Sequence, residues 1–139
     1  MQIEECTIDN VPLLAKMNKE FIEDGKADTD YSLPHLEERL RSYISSEHKA
    51  YIFREDESIV GYALCDVSKN PVYMRQFFIS RGERRKGLGK QAFQLLLEHL
   101  GIGNMDIEVY SWNESGIAFL KSLGLEKQRN IMSKITTQL

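Results

Sequence analysis

The chain has 139 residues, 42% hydrophobic and 28% charged, an ordinary balance for a globular domain large enough to bury a core without disulfide or metal staples. Its net charge of −3 is divided unevenly: residues 1–70 hold 8 Lys/Arg against 15 Asp/Glu, and residues 71–139 hold 10 against 6. No long apolar run or leader-like N-terminus points to a membrane, and Cys6, Cys65, His35, His48 and His99 lack disulfide or metal-ligand spacing, so a cytoplasmic, metal-free protein is expected.

Residues 2–8 read as a strand. Asn10-Val11-Pro12 then opens a helix, with Asn10 as candidate N-cap and Leu13, Leu14, Met17 and Phe21 as the apolar stripe. Asp24-Gly25-Lys26-Ala27-Asp28-Thr29-Asp30 has no periodicity and reads as a loop. Ser32-Leu33-Pro34 starts a second helix, with Leu36, Leu40, Tyr43 and Ile44 on one face. Residues 49–54 and 59–67 are strand-like and joined by a turn, Glu55-Asp56-Glu57-Ser58. After Asn70-Pro71, residues 72–79 make a fourth strand rich in aromatic and β-branched side chains. Residues 88–100 form the clearest helix, with Leu88, Ala92, Leu95, Leu96 and His99 at helical spacing and Gly101 and Gly103 ending it. Residues 105–110 alternate as a half-buried strand, Asn113 caps a helix to Leu123, Gly124 fits its left-handed end, and residues 125–135 supply a last strand. The order β-α-α-β-β-β-α-β-α-β, without repeat or linker, predicts one α+β domain over residues 1–139.

The stretch from Ile79 to Lys90, IleSerArgGlyGluArgArgLysGlyLeuGlyLys, lies between the fourth strand and the third helix. Glycines there let backbone approach a bulky anion, and the helix start aims unpaired N–H groups at it. Gly82, Gly87 and Gly89 match neither the nucleotide-hydrolase loop nor the dinucleotide fingerprint. The pattern is Arg84-x-x-Gly87-x-Gly89, and it resembles the acyl-CoA pyrophosphate loop of the GNAT superfamily of N-acyltransferases. Asn113 followed by Phe119-Leu120-Lys121-Ser122-Leu123-Gly124-Leu125 is similar to the second signature of that family, N-x-x-A-x-x-F-Y-x-x-x-G-F.

The resemblance implies a mixed, mostly antiparallel sheet of six or seven strands flanked by about four helices. It implies an acetyl-CoA-dependent N-acetyltransferase, acting on a primary amine of a small molecule or protein by direct attack in a ternary complex, with no metal. Backbone groups of Phe77, Phe78 and Ile79 would pair with the pantetheine arm. Arg84, Arg85, Lys86, Gly87, Leu88, Gly89 and Lys90 would enclose the pyrophosphate, and Asn113 would contact the arm from the opposite side. Two readings of Glu108 stand side by side: a general base, as in ribosomal-protein acetyltransferases of the family, or a solvent-facing strand residue. Leu120 replaces the usual tyrosine acid, leaving Tyr110, Tyr73 or water in that role, a thiolate that leaves unassisted, or an acyl-CoA sensor without turnover. Arg75 suits a contact to a carboxylate or carbonyl of the substrate.

The acidic stretch including Asp24 and Asp28 falls where the family places acceptor-lining residues, and it would draw in a polyamine, aminoglycoside, lysine side chain or protein N-terminus; a merely solvated loop is the plainer alternative. The basic cluster from Arg81 to Lys90 alternatively suits nucleic acid, but the overall acidic charge opposes it, so no nucleic-acid or membrane partner is expected. Pairing of an exposed last strand between copies would give a homodimer, by fold analogy.

Overall fold

The computed structural model describes residues 1–25, 32–84 and 86–135. Its sheet runs in chain order, β1 (Gln2–Glu5), β2 (His48–Glu55), β3 (Ser58–Asp66), β4 (Val72–Ile79) and β5 (Met105–Ile107). The first three pairings are antiparallel, and β4 with β5 is parallel. The helices are α1 (Val11–Asp24), α2 (Leu33–Ile44), α3 (Leu88–Leu100) and α4 (Glu114–Ser122). No helix among the described residues is long and apolar enough to cross a membrane.

Side chains alternate across a strand, so a sheet covered on both faces reads as a continuous apolar run. Ala50, Ile52, Tyr62, Leu64 and Phe78 pack with Leu14, Met17, Leu36 and Leu40 of α1 and α2. Tyr51, Phe53, Val60, Met74, Phe77 and Ile79 pack with Ala92, Phe93 and Leu96 of α3, with Phe119 and Leu123 of the α4 region against them. Each large apolar side chain so enclosed contributes about 1.5–3 kcal/mol of burial free energy. On the α1 side the core holds one polar knot, in which Asn18 donates to the Tyr62 hydroxyl at 3.1 Å and to Gln76 at 3.1 Å, while Tyr62 donates to Gln76 at 2.8 Å. Mutual pairing offsets the cost of burying these groups.

Three expectations are corrected. Among the described residues the sheet has five strands, not six or seven, because residues 125–135 join no strand ladder and leave Ile131, Met132 and Ile135 exposed. That segment opens with five polar residues from Glu126 to Asn130, with no alternation, and the strand beside it is only three residues long. The strand edge expected to pair between copies is therefore missing. The strand at 105–110 likewise stops at Ile107; Val109 and Tyr110 are exposed, and Tyr110 stacks on Trp112 with ring centroids 4.4 Å apart. Finally, Asn10 does not cap α1. Its side chain turns back to accept from the Thr7 amide at 2.9 Å, within a capping box that closes a 3-10 turn over Ile8–Asn10.

Two local features place the site. Leu64 pairs with Gln76 and Cys65 with Met74, so Arg75 is an extra residue with no partner across the ladder. Such a bulge re-aims side chains, and here both Arg75 and Gln76 turn toward α1 and α2. Gly61 lies where β3 passes the Phe78 carbonyl: a Cβ there would come within 2.1 Å of that oxygen. Gly61→Ala is therefore expected to destabilise the protein by about 1–3 kcal/mol through forced separation of β3 and β4. Urea unfolding of both proteins measures the difference.

Candidate functional site

The parallel ladder between β4 and β5 ends at Met74↔Ile107, while β4 continues to Ile79. Backbone groups alternate sides along a strand. The Ser80 amide bonds Val60 at 2.8 Å on the β3 side, so Phe77 and Ile79 direct their N–H and C=O groups into the opening left by β5. Their side chains meanwhile pack in the α3 core. The Ile79 carbonyl is met by Arg84 Nε at 2.8 Å, which fixes the start of the following loop.

That loop delivers the chain into α3. Gly87 is its N-cap residue, with φ 74°, ψ 6°, no side-chain cap and no acidic residue in the first turn. The first bond of the helix runs from the Gln91 amide to the Gly87 carbonyl at 3.3 Å, so the amides of Leu88, Gly89 and Lys90 point out of the helix end. The two glycines serve different needs. Gly87 requires the left-handed conformation, and a Cβ on it would meet only open space. Gly89 is held by packing, since a Cβ there would lie 2.8 Å from Phe119 of α4.

Arg81, Arg84 and Lys86 of the loop have counter-ions within the chain. Arg81 reaches Glu20 at 3.7 Å, Glu23 at 3.1 Å and Asp24 at 3.0 Å, Arg84 pairs with Asp24, and Lys86 pairs with Glu83 at 3.3 Å. The acidic end of α1 thus sits against the loop, and Asp24 faces Arg81 and Arg84. Exposed pairs of this kind contribute about 0–1 kcal/mol each, so they orient the loop more than they stabilise it. Asp28, Asp30 and Arg85 lie outside the described residues. Asn113 accepts from the Gly116 amide at 3.0 Å as the cap of α4, and its amide nitrogen is 3.9 Å from where a Cβ on Gly25 would stand, beside the end of α1.

A second cluster forms where β4 and β5 part. The Arg75 guanidinium lies 5.0 Å from the Tyr43 ring centroid and 5.3 Å from that of Tyr73, and its Nε donates to His48 Nε2 at 3.0 Å. Burial first, then the Glu108 carboxylate, push the Tyr73 hydroxyl above its ordinary value, so it stays protonated at neutral pH. Glu108 itself is exposed, as is Tyr110, and Leu120 is buried in the α4 interface. Tyr43 and His48 carry no sequence signal for this role. Tyr43 reads as part of the α2 apolar face, and His48 lacks ligand spacing; the two rings pack 4.7 Å apart, and the bulge brings Arg75 to them. Among the described residues, no group of three or more His, Cys, Asp or Glu is placed to hold a metal.

The sheet thus combines a parted pair of parallel strands with an uncapped helix end beside the gap. The chain belongs to the Acetyltransferase (GNAT) family, whose sequence model matches residues 14–125. Solved structures agree in fold. A possible acetyltransferase from Clostridium difficile 630 is 15% identical with TM-score 0.79, covering 98% of this chain and 97% of its own. A predicted acetyltransferase with acetyl-CoA from Clostridium acetobutylicum is 11% identical with TM-score 0.70, covering 96% and 95%. An aminoglycoside acetyltransferase from an uncultured soil metagenomic sample, in complex with sisomicin, is 14% identical with TM-score 0.68, covering 99% and 95%. No curated protein matches the chain.

Burial, then the neighbouring Arg75, push His48 below its ordinary 6.5, while Asp66 and Glu47 partly offset this. A folded value below the unfolded one means that stability is complete above about pH 6.5 and is lost as pH falls through the folded value. An NMR titration should find the His48 midpoint below 6.5, and Arg75→Met should raise it by removing the second cause.

Proposed function

We propose that this GNAT-family protein transfers an acetyl group from acetyl-CoA to a primary amine, by direct attack in a ternary complex, in the cytoplasm. The observation that carries this reading is the uncapped N-terminus of α3 standing beside the open edge of β4. Neutral amides at a helix start suit a diphosphate, and a strand edge suits an amide-bearing arm laid along it. The Clostridium acetobutylicum neighbour with acetyl-CoA and the aminoglycoside acetyltransferase support the donor and the amine acceptor by analogy of fold.

Acetyl-CoA supplies the acyl group as an activated thioester. Leu88, Gly89 and Lys90 amides hold the diphosphate, and Gly87 keeps their approach clear. Phe77 and Ile79 backbone groups align the arm, so that the acyl carbon rests where β4 and β5 part. Holding both reactants there replaces a bimolecular encounter with a positioned one. Glu108, directly or through water, accepts the ammonium proton as the N–C bond forms and the C–S bond breaks. The leaving sulfur takes a proton from Tyr73, which its surroundings keep protonated, or from water. Leu120, apolar and buried, donates none, and this residue is what favours a second reading as a non-catalytic acyl-CoA sensor. The nucleic-acid reading is weakened because Arg81, Arg84 and Lys86 are neutralised by the chain's own carboxylates.

Incubation with acetyl-CoA and an amine panel, followed by thiol release, distinguishes enzyme from sensor: the enzyme releases thiol with at least one amine, whereas the sensor binds tightly and releases none. Gly87→Asp is expected to weaken CoA binding by about 10-fold or more, by placing a carboxylate before the α3 amides. Its left-handed backbone costs about 1–2 kcal/mol, so thermal melts should still show a folded protein. Glu108→Gln should lower kcat near neutral pH by about 100-fold, with little change in CoA affinity. An unaltered pH–rate profile removes Glu108 from the base role.

A further inference from the structure

We infer that the acceptor amine also carries a carboxylate, and that Arg75 is the residue that binds it. This rests on the acyltransferase reading and narrows the kind of amine it serves.

The charges at the two ends of the cleft are opposite to a site for polycations. Glu20, Glu23 and Asp24 sit against Arg81 and Arg84 of the α3 loop, far along β4 from the point where the strands part. At that point stands a cation. Among the described residues Arg41, Arg54, Arg81, Arg84 and Arg129 each reach a carboxylate, whereas Arg75 reaches none. The acidic groups nearby are otherwise engaged or apart: the Ser68 amide donates to Asp66 at 3.0 Å and its hydroxyl to Glu47 at 2.9 Å, and Glu108 is exposed and forms no ion pair with Arg75.

Arg75 is nevertheless held firmly. It is half-buried, flanked by the Tyr43 and Tyr73 rings, and anchored through Nε to His48. That arrangement fixes the guanidinium plane, and among the described residues neither Nη group has a hydrogen-bond partner. A fixed planar fork matches a carboxylate through two parallel bonds, and little side-chain freedom remains to be lost on binding. Arg75 lies one residue past Met74, the last β4 residue paired with β5, and Glu108 lies one past Ile107 on the opposing strand. A carboxylate on Arg75 would therefore leave a nearby amine at the mouth of the gap, beside the candidate base. A polyamine or aminoglycoside would instead meet an uncompensated cation.

The test uses the full chain. CoA binding is measured first by calorimetry, and its absence removes the acyltransferase reading itself. Thiol release is then compared for α-, β- and γ-amino acids, their carboxamides, O-phosphoethanolamine and spermidine. Free amino acids are expected to exceed their carboxamides in kcat/KM by about 10-fold or more. Arg75→Met should raise the amino-acid KM by a similar factor and abolish the preference for acid over amide, with CoA affinity unchanged. Arg75→Lys should restore part of it. Independently of turnover, N-acetylglycine added with CoA should shift the Arg75 Nε–H and His48 ring resonances, and N-acetylglycinamide should not. Equal use of acids and amides, preference for the phosphate or for spermidine, or resonances unmoved by N-acetylglycine would each overturn the assignment.

Discussion

Backbone amides and carbonyls must find partners or face water, and this sheet leaves a defined set of them without protein partners. β4 is eight residues long and β5 three, so a parallel pairing that begins at Val72 and Met105 ends two steps later. From there on one side of β4 is open. The same strand leads through a single loop to α3, whose first-turn amides are also uncapped. Strand edge and helix end therefore present main-chain donors and acceptors on either side of the Ile79 carbonyl, which Arg84 occupies.

Such an arrangement survives only if its walls are rigid. β4 is pinned from both faces: Phe78 packs edge-on to Phe21 of α1, and Phe77 stacks on Phe119 of α4, with centroids 6.5 Å and 5.9 Å apart. Gly89 brings α3 close enough to Phe119 that a single added carbon would collide. The glycine pair thus couples two requirements, left-handed backbone at Gly87 and close helix packing at Gly89, and either one alone would leave the helix start misplaced. The polar knot of Asn18, Tyr62 and Gln76 adds direction to the α1 contact, which apolar packing lacks.

How much of this was legible in the sequence depended on the range of the interactions involved. α3 and β4 are predicted to the residue because each carries its own pattern: a helical stripe ended by Gly101, and an apolar run introduced after Pro71. The glycine loop is legible because left-handed backbone and an uncapped helix start are local properties. Where the outcome depended on a partner, local pattern failed. Residues 105–110 alternate well enough for a strand, yet pairing stops at Ile107, and residues 125–135 join no ladder beside an edge strand only three residues long. Asn10 has the right side chain for a cap, but Thr7 offers a closer donor within the preceding turn. The tyrosine–histidine setting of Arg75 depends on one extra residue in the β3/β4 ladder, which no sequence periodicity announces.

Charge is arranged on a longer scale than any of these elements. The acidic first half and basic second half of the chain suggest two separate surfaces, one for cations and one for polyanions. Folding instead brings the most acidic part of α1 onto the most basic loop, so that Arg81 and Arg84 reach the site already compensated. An anion arriving at α3 then meets mainly amide dipoles, which are fixed in direction and need no counter-ion rearrangement before they act. Arg75 is arranged differently. Among the described residues no carboxylate pairs with it, and its surroundings are aromatic rings and an imidazole that orient it without neutralising it. A cation kept half-buried in that condition raises the free energy of the empty site, and an oppositely charged group of the right shape relieves that cost on binding.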